Sequence, residues 1–260
     1  MRRLVLICSG LLVLGGFWVA RASVQHHAMR LKGMVQDSVA QRLVGTRFVD
    51  SPRAHALLAD YANLYRFRAE NRALPANAAG RVVFYGDSIT DFWATKYSAE
   101  FFPGTNYLGR GILGQASREM VWRFQQDVID LHPVAVVIQA GTNDIVVRSR
   151  HITRGQTIEN LQAMVQAAKR RGIRVVVCSI LPVAFYPRSA EAGYTQEIRS
   201  MNAWIRGYAA EQHITYLDYF TPMSSADGTL DSWLTNDGLH PNAAGYAAMR
   251  TLAQKALDSP

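Results

Sequence analysis

The sequence predicts an open, doubly wound α/β/α sandwich on a five-stranded parallel sheet. Three observations predict it: five short apolar runs of strand length, amphipathic helical stretches of about 15 residues beside them, and a regular alternation of the two from Arg81 onward. An apolar fraction of 49% against 18% charged excludes a disordered chain, and 19 Gly and 9 Pro in 260 residues exclude collagen or a low-complexity linker.

The chain opens on an export signal. Arg2-Arg3 precedes an apolar run from Leu4 to Ala20, and Ala20-Arg21-Ala22 supplies a small-x-small cleavage pattern. As a helix the run would reach about 25 Å against a hydrocarbon core of about 30 Å, so residues 1–22 read as a signal peptide, with a short membrane anchor through residues 4–20 as the alternative. Either way the basic N-terminus stays inside and the remainder is exported, to a periplasmic, extracellular or outward-facing anchored position. Residues 23–79 form an N-terminal segment: a stalk with weak apolar spacing, then a helix whose Ser51 suits the N-cap and Pro52 the first helical position. Ala54, Leu57, Leu58, Tyr61, Leu64 and Tyr65 recur along it at helical spacing, and Pro75 to Gly80 ends it.

The domain proper spans residues 80–260. Its strands are read at Val82–Tyr85, Thr105–Leu108, Val134–Gln139, Ile173–Ile180 and Ile214–Leu217, the β-branched third run being that of a strand buried on both faces. Its helices are read at Ser117–Leu131, with Ser117 as N-cap, at Thr157–Arg171 closed by Gly172, at Gln196–Glu211 and at Asn242–Leu257. In such a sheet, ligands bind beyond the carboxyl ends of the strands.

Composition narrows the function. The net charge of +8 divides into +3 for residues 1–22, +4 for residues 23–79 and +1 for residues 80–260. The folded domain therefore lacks the basic surface that a nucleic-acid partner requires. Two cysteines build neither a disulfide scaffold nor a metal-ligand spacing, and cleavage of the leader leaves only Cys178.

Four segments fall at strand ends and carry chemistry. Ser88, in Gly86-Asp87-Ser88-Ile89, follows the first strand, where a hydroxyl can face the crevice; its alternative is a helix N-cap. It does not stand in a G-x-S-x-G elbow. Gly109-Arg110-Gly111-Ile112-Leu113-Gly114-Gln115 follows the second strand and Gly141-Thr142-Asn143-Asp144 the third. Glycine lets a backbone N–H approach a substrate, and an Asn amide donates without charge. Asp237 and His240, three apart past the fifth strand, can meet on one turn, the carboxylate fixing the tautomer of the imidazole; alone, they could be a loop with Asn242 capping the last helix. The other six histidines have no acid at useful spacing. Together the four segments supply a nucleophile, a base, its partner acid and uncharged oxyanion donors, the set needed for acyl transfer.

In these four blocks, taken in order, the sequence resembles the SGNH, or GDSL-type, hydrolases over roughly residues 81–257, with Ile89 where that name has Leu. The resemblance implies a flavodoxin-like three-layer sandwich with Ser88 as nucleophile, His240 as base and Asp237 as its partner. It also implies an oxyanion hole of the Ser88 and Gly114 N–H groups and the Asn143 amide, and a reaction without metal or organic cofactor. The expected substrates are small-molecule, lipid or carbohydrate esters, with short-chain acyl or O-acetyl groups favoured and no nucleic acid. An O-acyltransferase with the same triad and a lysophospholipase-type acylhydrolase are the alternatives, and a non-catalytic glycan-binding module is a third class. Trp93, Tyr186 and Trp233 are candidates for the substrate mouth, with core packing as the alternative for each tryptophan. Arg188, in the same loop as Tyr186, could meet an anionic group or simply be solvated.

Overall fold

A computed structural model describes residues 60–76, 78–147, 151–184 and 194–259. The export signal, the stalk, the Ser51-Pro52 helix start, Tyr186 and Arg188 lie outside the described residues. The compact unit that bears the sheet runs from Ala62 onward.

Five strands, β1 Val82–Gly86, β2 Tyr107–Gly111, β3 Ala135–Ile138, β4 Arg174–Cys178 and β5 Thr215–Leu217, form one parallel sheet in the order β2-β1-β3-β4-β5. Alternate side chains divide between its faces. Val83, Tyr85, Val136, Ile138, Val175 and Val177 meet Met120 and Phe124, Leu161 and Val165, and Ile198 and Ile205. These belong to α3 Ser117–Asp127, α5 Arg154–Lys169 and α6 Tyr194–Gln212. Val82, Phe84, Ala135, Val137, Val176 and Cys178 meet Ile89 and Trp93 of α2 Ser88–Ala94 and Tyr246, Met249 and Ala253 of α8 Ala243–Asp258. The result is the three-layer sandwich expected. Shorter helices complete it: α1 Arg68–Ala73, α4 Thr142–Val146 and α7 Phe220–Met223.

The differences from the expected elements are local. The described end of the expected Ser51 helix is not helical: turns run through residues 61–67, and Asn63 takes a left-handed φ of 55°. Residues 62–76 instead fasten to the domain: the Asn71 amide donates to Asp127 at 2.8 Å and that of Gln126 to the Leu64 carbonyl at 2.7 Å. Strand β2 begins two residues late because Gly104 (φ 80°) makes a turn closed by Thr105 N–H on the Phe102 carbonyl. It runs on through Gly109 and Gly111, which the sequence reading assigned to a loop. Helix α5 starts before Thr157, capped by the reciprocal pair Thr153 and Gln156 at 3.2 and 2.9 Å. The cap of α3 is Ala116, whose N–H is taken by the Glu119 carboxylate at 2.9 Å, leaving Ser117 inside the helix. Asn242 does cap α8, accepting Gly245 N–H at 3.1 Å.

The glycines near the carboxyl edge have a packing cause. A Cβ on Gly86 would lie 2.1 Å from Thr90 Oγ1, one on Gly109 2.2 Å from Ala94 Cβ, and one on Gly111 2.1 Å from the Asp91 nitrogen. Helix α2 therefore rests directly on bare strand backbone.

Candidate active site

Helix α2 springs from β1 through Asp87. The Asp87 carboxylate accepts Ile89 N–H at 2.9 Å and so takes the N-cap position that sequence alone offered to Ser88. The Ser88 hydroxyl is left for another partner. It lies 3.0 Å from His240 Nε2, and His240 Nδ1 lies 2.7 Å from Asp237 Oδ2. With Nδ1 protonated and donating to the carboxylate, Nε2 presents a lone pair to the serine.

The loop that carries the acid and the imidazole is tied into one shape. Asp237 Oδ1 accepts the N–H groups of Leu239 and His240 at 3.0 and 2.7 Å. Thr235 Oγ1 donates to the His240 carbonyl at 2.7 Å and accepts from the N–H groups of Gly238 and Asp237 at 3.0 and 3.3 Å. Phe92, from α2, lays its ring 4.9 Å from the imidazole. Partial burial works against the Asp237 charge, but the hydrogen bonds from His240 and Leu239 outweigh it and hold the carboxyl below the usual aspartate value. The carboxylate remains 54% exposed while the imidazole is 17% exposed.

The segments bearing the candidate oxyanion donors are linked through Asn143. Gly114 turns at φ 75°, in a bend closed by Gln115 N–H on the Ile112 carbonyl at 3.2 Å. The Asn143 amide donates to the Gln115 carbonyl at 2.9 Å and to Asp87 Oδ2 at 3.3 Å. Asn143 thus spans the segment before Ser88 and the segment after Gly114. Burial pushes the Asp87 carboxyl up to about 6, against the hydrogen bond from Ile89 and the proximity of His240. Its neighbour in the third block, Asp144, faces inward: it takes the N–H and hydroxyl of Ser117 and the Thr157 hydroxyl, the latter at 2.9 Å, and so pins α3 and α5 below the site.

The two tryptophans proposed for the mouth part company. Trp93 is 1% exposed, packs on Phe84 and Tyr246 and donates its indole N–H to the Glu100 carbonyl. It belongs to the core, which corrects its placing at the mouth; helical spacing turns it away from Ser88, five residues before it. Trp233 is 64% exposed. The segment after β4 reaches the loop that carries Asp237 and His240, with Ala184 N–H on the Gly238 carbonyl at 2.8 Å.

Sequence reading passed over Thr235, Phe92 and Arg123 and gave Gln115 no role within its block, since a threonine, a phenyl ring, a helical arginine and an amide carry no signal until their partners are known. Among the described residues no group of three or more His, Cys, Asp or Glu side chains is placed to hold a metal ion.

Comparison with known proteins bears on the whole arrangement. A family model, that of the GDSL-like lipase/acylhydrolase family, matches residues 84–248. The solved structure of a GDSL-like lipase from Bacteroides thetaiotaomicron is 38% identical, with a TM-score of 0.72, over 76% of this chain and 98% of that one. A catalytic mutant of an acetylxylan esterase from Geobacillus stearothermophilus, 16% identical, shares the fold with a TM-score of 0.57 over 70% of this chain and 95% of that one. A curated relative, the uncharacterized lipoprotein YqeF of Bacillus subtilis, is 26% identical over 158 residues; the match takes in 59% of this chain and 64% of that protein's length.

Proposed function

Since the chain belongs to the GDSL-like lipase/acylhydrolase family, we propose that it is a serine hydrolase of carboxylic esters that works through Ser88, His240 and Asp237. The observation that carries this reading is the continuous hydrogen-bonded path from the Ser88 hydroxyl through the imidazole to the Asp237 carboxylate. His240 accepts the Ser88 proton as Oγ bonds to the ester carbonyl carbon. The tetrahedral oxyanion is met by Ser88 N–H, Gly114 N–H and the Asn143 amide. His240 then passes its proton to the departing alcohol, leaving an acyl-enzyme. Water, deprotonated by the same imidazole, adds to the acyl carbonyl, and the carboxylic acid departs as the serine recovers its proton.

The substrate class is a short-chain acyl or O-acetyl ester, small-molecule or carbohydrate. Two things support it: the sequence has no long apolar lid segment, and an acetylxylan esterase shares the fold. Trp233 offers an exposed aromatic face of the kind that suits a sugar ring. Export, read from residues 1–22, agrees with a relative named as a lipoprotein and favours esters of the cell envelope or exterior.

A panel of p-nitrophenyl esters of rising chain length, run with acetylated xylan and a lysophospholipid, tests the proposal. Acetyl esters are cleaved fastest and acetate is released without an added acceptor. Faster turnover of the lysophospholipid would assign a lipid acylhydrolase, acetate release only with a sugar acceptor an acyltransferase, and no turnover of any ester would remove the reading.

A further inference from the structure

We propose that Arg123 is a positioning residue that sets the spacing of the oxyanion donors, an inference that rests on the serine-hydrolase reading above. Arg123 stands on the inner face of α3 with its side chain 0% exposed. Arginine is almost never fully buried without a partner that repays its dehydration. Asp127, one turn on, supplies a carboxylate at 3.2 Å, but that accounts for only one of the guanidinium's bonds. The others go to uncharged oxygens at the carboxyl edge of the sheet: the Gly86 carbonyl at 2.8 Å, the Arg110 carbonyl at 2.9 Å and the Gln115 side-chain oxygen. The Tyr85 ring supports the cation from one side, 4.2 Å from its central carbon.

What these acceptors have in common is their position. Gly86 ends β1, two residues before Ser88. Arg110 lies at the end of β2, and Gln115 follows Gly114. The Gln115 carbonyl is in turn the acceptor that orients the Asn143 amide, at 2.9 Å. A single rigid fork thereby fixes the segments bearing the Ser88 and Gly114 N–H groups relative to each other and, through Gln115, relative to Asn143. A lysine could keep the charge beside Asp127 but could not direct planar donors to all three oxygens.

The test uses the full chain with two variants, Arg123→Lys and Gln115→Met. Labelling to completion with a fluorophosphonate, counted by mass spectrometry, gives the fraction of molecules with a competent Ser88. Turnover of p-nitrophenyl acetate is then expressed per competent site, and the affinity of phenylboronic acid, which forms a tetrahedral adduct on the serine, is measured in parallel. A misplaced donor set lowers kcat per competent site by about 10- to 100-fold in Arg123→Lys, with KM little changed and boronate affinity reduced by a similar factor. Gln115→Met leaves the Arg123–Asp127 pair in place and falls in the same direction by a smaller factor, so it carries the test if Arg123→Lys does not fold. Normal kcat per competent site, even with fewer competent molecules, would make Arg123 a fold-stabilising residue only and overturn the proposal. A native enzyme that takes no label, or takes it equally after Ser88→Ala, would instead overturn the serine-hydrolase reading.

Discussion

Ser88 Oγ and His240 Nε2 stand 3.0 Å apart although the two residues are separated by 152 positions in the chain. That distance lies within the range for proton transfer along a hydrogen bond, so no rearrangement is needed before the serine can be activated. Ser88→Ala therefore lowers ester turnover by about 10⁴-fold or more while leaving the thermal transition near its native position. Initial rates on p-nitrophenyl acetate with a parallel melting curve check both halves.

Asn143→Ala removes one uncharged donor and costs about 2.7–4 kcal/mol of transition-state stabilisation, or about 10²–10³ in kcat. The longer of the amide's two bonds, that of 3.3 Å to Asp87, is the one expected to give way to an oxyanion. A variant that turns over at the native rate would exclude Asn143 from the oxyanion hole.

Asp87 gives a pH signature in stability. Burial raises its carboxyl from near 3.8 to about 6, so the folded protein binds a proton more tightly than the unfolded chain does. Its contribution is most favourable below about pH 4 and declines as pH rises to about 6, with about 3 kcal/mol at stake for a shift of this size. Asp87→Asn retains an N-cap oxygen and abolishes the titration. Urea unfolding of the native chain and the variant at pH 4.5, 5.5, 6.5 and 7.5 should show the variant gaining relative stability with pH, and a constant difference would contradict the shift.

The tryptophans separate packing from access. Trp93→Ala empties a fully buried site among aromatic rings and costs about 3–5 kcal/mol of stability. Trp233→Ala, at an exposed position, changes stability by about 0.5 kcal/mol or less, and alters KM for acetylated sugars if its face meets the ring. Denaturant midpoints and Michaelis curves read the two effects independently.

The sheet was legible because strands buried on both faces must be apolar without interruption, as Ala135–Ile138 is, and because helices of this length declare their period. The candidate site was legible where residue type and strand end coincide, at Ser88, Asn143, Asp237 and His240, which the fold brings together. Residues whose meaning depends on close approach were not. Gly109 and Gly111 looked like a substrate loop, but they admit α2; Trp93 looked like a mouth residue, but it packs against Phe84 and Tyr246. Thr235 and Arg123 act through carbonyl oxygens, and nothing in a sequence says which carbonyl a side chain will reach.

The bare strand surface under Thr90, Asp91 and Ala94 constrains how this scaffold can be altered. Even an alanine at Gly86 or Gly111 would lift α2 and carry the Ser88 hydroxyl away from His240. Diversity in what the enzyme accepts is therefore better sought away from α2, at Val183 and Ala184 beside Gly238 and around the exposed Trp233. A mutational library aimed at new substrates should leave that glycine floor untouched and vary those positions instead.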